Sequence, residues 1–355
     1  MSNIFREYLK KIGSGVHTGK DLTRAEAADA MKMMLLAEAT PAQIGAFLIV
    51  HRIKRPIPQE LAGMLDTYDE LGPKLNIDNL TFDYPVTVLG TPYDGRSRTA
   101  PVTTITALIL ATAGVPVILH GGDRMPTKYG LPLITIWQGL GVDFSQLSLT
   151  DSQQLLEKTG LTFIYLPRHF PLANQLVAYR EQIGKRPPLA TLELMWAPCS
   201  SNQVHIVSGF VHPPTETFFR ETFQLRDFAN FTTVKGLEGS CDLPQSRTAI
   251  IGINQPDREP QWERLHLHPQ DYHLGGKDIP LISAAQLIDQ MQQILQGTPN
   301  DMMNLAIYNG GFYLWRCGVC QDLSTALTQA KTLLTEGQVA QKLQEISASV
   351  TLHRS

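Results

Sequence analysis

Two short segments carry residue types that could hold a phosphorylated ligand. The first is Gly90-Thr91-Pro92-Tyr93-Asp94-Gly95, followed by Arg96 and Arg98; the second is His120-Gly121-Gly122-Asp123-Arg124, followed by Lys128. A loop between a buried strand and a helix offers backbone amides and the positive end of a helix dipole to an anion. Guanidinium groups beside such a loop can add paired hydrogen bonds to phosphate oxygens. Either segment alone also fits an ordinary strand-to-helix turn. Two of them on neighbouring strand ends, facing one crevice, are more informative than one.

The flanking residues predict the elements that position these loops. Val86-Thr87-Val88-Leu89 reads as a buried strand, Thr103 to Ala113 as a helix and Val115 to Leu119 as the next strand. Further apolar runs follow at Phe163 to Leu166, His205 to Val211, Phe231 to Val234 and Ala249 to Ile253, with helical patterns before Phe163 and after His212. This alternation predicts an α/β domain with a mainly parallel sheet and a ligand site at the C-terminal strand ends. Asn254 to Asp278 lacks periodicity and reads as a surface excursion, whereas Leu323 to Leu343 reads as a helical hairpin interrupted at Glu336-Gly337.

The opening residues are different in kind. Thr23 with Glu26, and Thr40-Pro41 with Gln43, have the spacing of capping boxes, in which side chains satisfy free amides at a helix start. They predict helices from Ala25 to Ala37 and from Pro41 to about Arg55, with another from Gln59 to Tyr68. Residues 1–75 are expected to form a small helical domain and residues 80–355 the α/β domain.

Composition narrows the functional classes. The 355 residues are 43% hydrophobic and 18% charged, enough apolar material for a sizeable core, and 30 Lys+Arg against 33 Asp+Glu give a formal charge of -3. No global positive field draws such a chain to nucleic acid or acidic lipid, so any such binding is local. The uncharged stretch Ala100 to Leu119 is diluted by threonines and broken by Gly114 and Pro116. Residues 1–7 lack a basic segment followed by an apolar run, and four cysteines are too few for a disulfide scaffold. A cytoplasmic protein without a membrane partner is expected.

With these residues in view, Ala39-Thr40-Pro41-Ala42-Gln43-Ile44-Gly45-Ala46-Phe47-Leu48, Arg52-Ile53-Lys54 and Glu60-Leu61-Ala62-Gly63 resemble the N-terminal domain of the anthranilate phosphoribosyltransferase family, glycosyltransferase family 3. Gly90-Thr91 with Asp94-Gly95 resembles its GTGGDG loop, His120-Gly121 with Arg124 its KHGNR loop, and Pro171 to Arg180 with Gly184 and Arg186 its HPxM…VRxxLGxR segment. Asn309-Gly310-Gly311 and Ala326 to Leu343 resemble its C-terminal helices. The resemblance implies a nucleoside phosphorylase/phosphoribosyltransferase type of fold and a homodimer joined through the helical domains, with a helix near residues 171–185 added to them. An apolar face of Ile44, Phe47 and Leu48 is compatible with that dimer.

The implied reaction transfers phosphoribosyl from phosphoribosyl pyrophosphate to an aromatic amine such as anthranilate, with Mg2+ and preorganised donors neutralising the leaving pyrophosphate. Carried over by position, Asp94 and Arg124 are the expected catalytic residues, and Gly90, Thr91, Gly95, Arg96, Arg98, Thr103, Thr104, His120, Gly121 and Lys128 the expected substrate contacts. Arg180 matches the arginine that holds the acceptor's carboxylate, and Glu238 is what survives of the metal-holding pair.

The departures are equally specific. Pro92 and Tyr93 replace two glycines, Leu119 and Gly122 replace the lysine and asparagine of KHGN, and only two hydroxyls, on Thr103 and Thr104, remain of the NxST segment. These changes are similar to those of a divergent paralogue branch, part of which is linked to nucleic-acid binding. The two expectations are a transferase with an altered acceptor, and an inactive paralogue whose basic cleft binds single-stranded nucleic acid, with Tyr93 or Tyr129 stacking a base. The retained donors favour the transferase.

Other motifs have plainer readings. Cys317-Gly318-Val319-Cys320 is a lone CxxC that reads as packing, and His266, His268 and His273 read as exposed loop histidines rather than metal ligands. His212, after a strand, could line the crevice or simply sit in a loop, and His169 could contact an acceptor or cap a loop.

Overall fold

The computed structural model describes residues 3–15, 17–201 and 204–352. Met1 and Ser2, the start of the stretch read for a secretory signal, lie outside it. The first four helices, α1 (Asn3–Gly13), α2 (Arg24–Leu35), α3 (Pro41–Lys54) and α4 (Pro58–Leu71), form a bundle. Both capping boxes are present: Thr23 with Glu26 opens α2, and Thr40 with Gln43 opens α3 with Pro41 in its first turn. Helix α1 has no such signal in the sequence. It is held by Phe5, whose ring centre lies 5.5 Å from that of Phe47. Ile44, Phe47 and Leu48 are each at most 1% exposed within the single chain, so they are core residues and not a free dimer face.

Helices α2 and α4 approach closely because α4 carries Gly63 at the crossing. A β-carbon there would lie 2.0 Å from the Arg24 carbonyl oxygen. Gly63→Ala is therefore expected to destabilise the bundle by about 1–3 kcal/mol through overpacking. Urea denaturation of the variant against the parent chain measures it.

The α/β part contains a seven-stranded sheet: β1 (Thr87–Gly90), β2 (Val117–Gly121), β3 (Leu161–Tyr165), β4 (His205–Gly209), β5 (Phe231–Val234), β6 (Ala249–Asn254) and β7 (Trp262–Leu267). Their order is β3-β2-β1-β4-β5-β6-β7; the first five strands are parallel, β6 pairs antiparallel with β5, and β7 pairs antiparallel with β6. The chain leaves β1 in one direction and returns beside it at β4, which makes the β1/β4 boundary the switch point where a crevice opens beyond the strand ends. Helix α5 (Thr103–Thr112) packs against the Asp301–Arg316 helix and is buried over nearly its whole length. Its uncharged sequence therefore reflects the core, and no helix among the described residues is long and apolar enough to cross a membrane.

The expected excursion at 254–278 is corrected by the structure. Its residues 262–267 are β7, paired with β6 from Ala249↔Leu267 to Asn254↔Trp262. As an edge strand it is half exposed and carries Glu263, Arg264 and His266, so its pattern lacks the apolar alternation of the inner strands. The C-terminal hairpin is formed by helices Leu323–Thr335 and Gln338–Leu352.

Candidate functional site

Strand β1 delivers Gly90 to the crevice, but the glycines of its loop answer to protein backbone. A β-carbon on Gly90 would lie 2.5 Å from the Leu194 carbonyl oxygen. Gly95 has φ +75°, and a β-carbon there would lie 2.6 Å from the carbonyl carbon of Gly130. Close packing of neighbouring chain segments thus suffices to require glycine at both positions.

Tyr93 turns inward from this loop. Its hydroxyl lies 2.6 Å from His120 Nδ1, and the rings meet edge to face with centres 5.5 Å apart. The His120 ring in turn lies 5.3 Å from Trp196. Burial lowers the His120 pKa to about 4 and pushes the Tyr93 phenol upward, so at neutral pH the phenol donates to a neutral imidazole. The void left among Thr91, Tyr93, Arg96, Thr103, His120 and Gly121 is about 20 Å³. That is room for about one water molecule.

Arg96 is 3% exposed and also points inward. One Nη donates to Asp242 Oδ2 at 2.8 Å and to Ser240 Oγ at 2.9 Å; Nε lies 3.4 Å from Glu238 Oε1, and the other Nη meets Thr99 Oγ1. Glu238 accepts from the amides of Arg98 and Thr99, each at 3.0 Å, and from Ser97. Burial pushes its carboxyl pKa up, but those amides and the Arg96 charge outweigh it and hold it at about 2. Asp242 accepts from the Val102 amide at 3.0 Å and from Thr103 Oγ1 at 2.7 Å. Arg96 and Thr103, expected as substrate contacts, thus serve to bind two loops of the protein together.

The other expected residues divide. Asp94 is 2% exposed, and neither of its carboxylate oxygens has a hydrogen-bond partner. Lys128 Nζ lies 3.8 Å and Arg186 Nη2 3.9 Å from its Oδ1. Lys128 also sits 3.9 Å from Glu238. Thr91 and Thr104 are buried, and Gly121 lies beneath Tyr93 and Phe163. Arg98 is 79% exposed at the rim, and exposed Arg124 donates to the Tyr129 carbonyl at 2.6 Å. Arg180 is buried in an ion pair with Glu193, so the group expected to receive an acceptor's carboxylate already holds one.

Several groups carry more than the sequence disclosed. Glu193 stands alone in the apolar run Leu192-Glu193-Leu194-Met195-Trp196, a pattern that could have signalled a buried charge partner. On the β4 side, a cleft of about 440 Å³ between bundle and sheet is lined by Arg52, Arg55, Arg186, His212, Phe210 and Phe218 among others. No carboxylate belongs to that lining among the described residues. His169 is tied into a loop by the Tyr165 amide and the Leu147 carbonyl, each at 2.9 Å. Cys320 donates to Gln329, Cys317 lies against Thr87 and His205, and His268 meets Thr248; no group of three ligating side chains occurs among the described residues.

The donor set also bears on Mg2+. Glu238 and Asp242 spend their oxygens on amides, hydroxyls and Arg96, and the Lys128 ammonium lies between Asp94 and Glu238 where a cation would bridge them. These residues do not fit a magnesium ion as arranged.

A helical bundle beside a largely parallel sheet, with its crevice at the switch point, defines a two-domain glycosyltransferase architecture. Residues 6–72 match the helical bundle domain of the glycosyl transferase family and residues 86–340 its a/b domain. The chain belongs to this family. It is 26% identical over 339 residues to the anthranilate phosphoribosyltransferase of Anaeromyxobacter sp. (strain K), covering 94% of this chain and 96% of that one. The corresponding figures for the Chromobacterium violaceum enzyme are 25% over 335 residues, 93% and 94%. Among solved structures, anthranilate phosphoribosyltransferase from Thermus thermophilus superposes with TM-score 0.79 at 18% identity, covering 99% of this chain and 100% of that one. The Saccharomyces cerevisiae enzyme in complex with PRPP and Mg gives 0.80 at 15%, covering 98% of each. At these identities the structural likeness establishes the fold, and phosphoribosyl transfer is supported at the level of the family.

Proposed function

We propose that this chain is a phosphoribosyltransferase-family protein that recognises a phosphate-bearing strand, single-stranded nucleic acid, through the arginines of its interdomain cleft. The observation that carries this reading is the division of charge. Arg96 and Arg180 are buried in internal ion pairs, whereas Arg52 and Arg55 line an open cleft with no carboxylate in its lining among the described residues, beside Arg186, which also stands 3.9 Å from Asp94. Guanidinium groups along a groove can track phosphates, and half-buried Phe218 offers a ring on which a base can stack. Fluorescence anisotropy with labelled oligothymidylate tests it. Binding is expected to weaken with salt, and Arg52→Ala or Arg55→Ala each to lower both the affinity and the salt slope, the latter by about 0.7. Salt-independent binding, or variants equal to the parent, would count against this use of the cleft.

A second reading keeps transfer from phosphoribosyl pyrophosphate to an aromatic amine such as anthranilate, in a homodimer. What favours it is Asp94, a buried carboxylate flanked by Lys128 and Arg186 that no hydrogen bond consumes. Admitting a metal-bound pyrophosphate would, however, mean breaking the buried Arg96 pairs. Uncompensated loss of such a pair typically costs about 3–5 kcal/mol, or 150-fold or more in affinity. Turnover of anthranilate, measured by loss of its fluorescence, would restore this reading to first place.

A further inference from the structure

We propose that a second binding site lies at the N-terminal ends of the parallel strands, where buried Arg316 and His205 receive a small organic monocarboxylate. A cavity of about 830 Å³ opens there, at the end of the sheet opposite the strand-end crevice. Its floor is made by Thr87 and His205, the first residues of β1 and β4, and by Arg316 and Cys317 at the end of the Asp301–Arg316 helix. Exposed Asp227, Asp257 and Arg258 stand at its rim.

Four arginines are buried among the described residues: Arg96, Arg180, Arg226 and Arg316. Each of the first three meets a carboxylate, Arg96 at Asp242, Arg180 at Glu193, and Arg226 at Asp66 and Asp69. Arg316, 6% exposed, meets none among the described residues. Its Nε donates to Thr232 Oγ1 at 2.7 Å, and Nη2 to Asn230 Oδ1 at 2.8 Å and to the Asn254 carbonyl at 3.2 Å. Nη1 makes no hydrogen bond to the described residues, and it is not sealed in the core as Arg180 Nε is. Burial pushes the Arg316 pKa down to about 10, so the side chain is still charged at neutral pH. Buried charges are normally paired, because an unpaired one forfeits its hydration. The carbonyl end of its own helix offsets part of this charge but supplies no acceptor to Nη1.

His205 adds a second donor. Thr232 Oγ1 accepts from Arg316, so its single proton is directed to His205 Nε2 at 2.8 Å. That assigns the proton of the imidazole, which burial holds neutral, to Nδ1. Nδ1 stands 3.4 Å from Thr87 Oγ1 and 3.7 Å from Cys317 Sγ, long contacts that leave its N–H available on the cavity floor. The rim then selects the ligand. Asp227 and Asp257 repel a dianion such as phosphate more than a monoanion, and the rim cation Arg258 already faces Glu263 at 3.8 Å. A cavity of this size encloses an organic body as well as its carboxylate.

The site is separate from the interdomain cleft, and its test stands whether or not that cleft binds nucleic acid. Saturation-transfer difference NMR of the full chain uses butyrate as the probe, butyramide as its uncharged counterpart and inorganic phosphate as competitor. Butyrate is expected to bind saturably and butyramide not, with phosphate displacing butyrate only at higher concentration. Arg316→Met is expected to weaken butyrate binding by about tenfold or more, the usual effect of losing a charge-assisted hydrogen bond. Asp257→Lys, a charge reversal at the exposed rim, is expected to strengthen it by about threefold. A folded Arg316→Met that binds butyrate as the parent does, or a parent that treats butyrate and butyramide alike, overturns the proposal. So does an unchanged affinity in Asp257→Lys, which decides the matter if Arg316→Met does not fold.

Discussion

Replacing Arg96 with methionine is expected to lower conformational stability by about 3–5 kcal/mol, the usual result of leaving buried carboxylates without their cation. The size follows from what the guanidinium does. It bridges Asp242 and Glu238, and those carboxylates in turn hold the amides of Val102, Arg98 and Thr99. The 96–103 segment and the 236–242 turn are thus joined by amides and hydroxyls bonded directly to the two carboxylates, with the Arg96 guanidinium as the buried charge that balances them. Had Arg96 been a ligand donor facing an open site, the same substitution would change stability little and binding greatly. Guanidinium denaturation of Arg96→Met separates the two cases. A change below about 1 kcal/mol would show that the network is not a structural strut.

Acid is expected to act on both domains at once. Glu60, fully buried in α4, accepts from the amides of Leu22 and Ile57 and lies against Lys54 and His51. Burial pushes its carboxyl upward, but the His51 and amide contacts outweigh that and hold it at about 2. Glu238 is held at about 2 in the other domain. A carboxylate whose folded pKa lies below the unfolded value of 4.5 contributes stability above that value and loses it as pH falls toward 2. By pH 3 the loss is about 2 kcal/mol for each group. His120 acts in a higher window: buried neutral with a pKa near 4 against an unfolded 6.5, it withdraws stability as pH falls through that interval. Denaturation midpoints between pH 7 and pH 3 measure the sum. In Glu60→Gln the part below pH 4.5 is expected to shrink by about half, and an unaltered pH profile would remove Glu60 from the explanation.

The fold was legible wherever local chemistry decides it. Thr40, Pro41 and Gln43 specify a helix start by themselves, and β1, β2 and β5 are short apolar runs bounded by turns. β7 was not legible, because an edge strand carries charges that protect it and has no fixed apolar alternation. The site divides along the same line. That two loops meet at neighbouring strand ends follows from strand order; which way their side chains turn does not. Arg96 takes partners 142 and 146 residues further along the chain, and Tyr93 takes one across the crevice. Choices of that kind depend on tertiary proximity, so an arginine read as a phosphate donor can emerge as a structural tie. Likewise Gly90 and Gly95 satisfy a ligand-loop pattern while making room for neighbouring backbone.

Whether the strand-end crevice is neutralised from within is tested most directly by titrating the full-length protein with phosphoribosyl pyrophosphate and Mg2+ in a calorimeter. No saturable heat is expected, because Arg96, Lys128 and Arg186 already balance Glu238, Asp242 and Asp94, and the void beside Tyr93 and His120 has room for about one water. A saturable, magnesium-dependent isotherm that disappears on adding a chelator would contradict that picture and return the crevice to phosphoribosyl transfer.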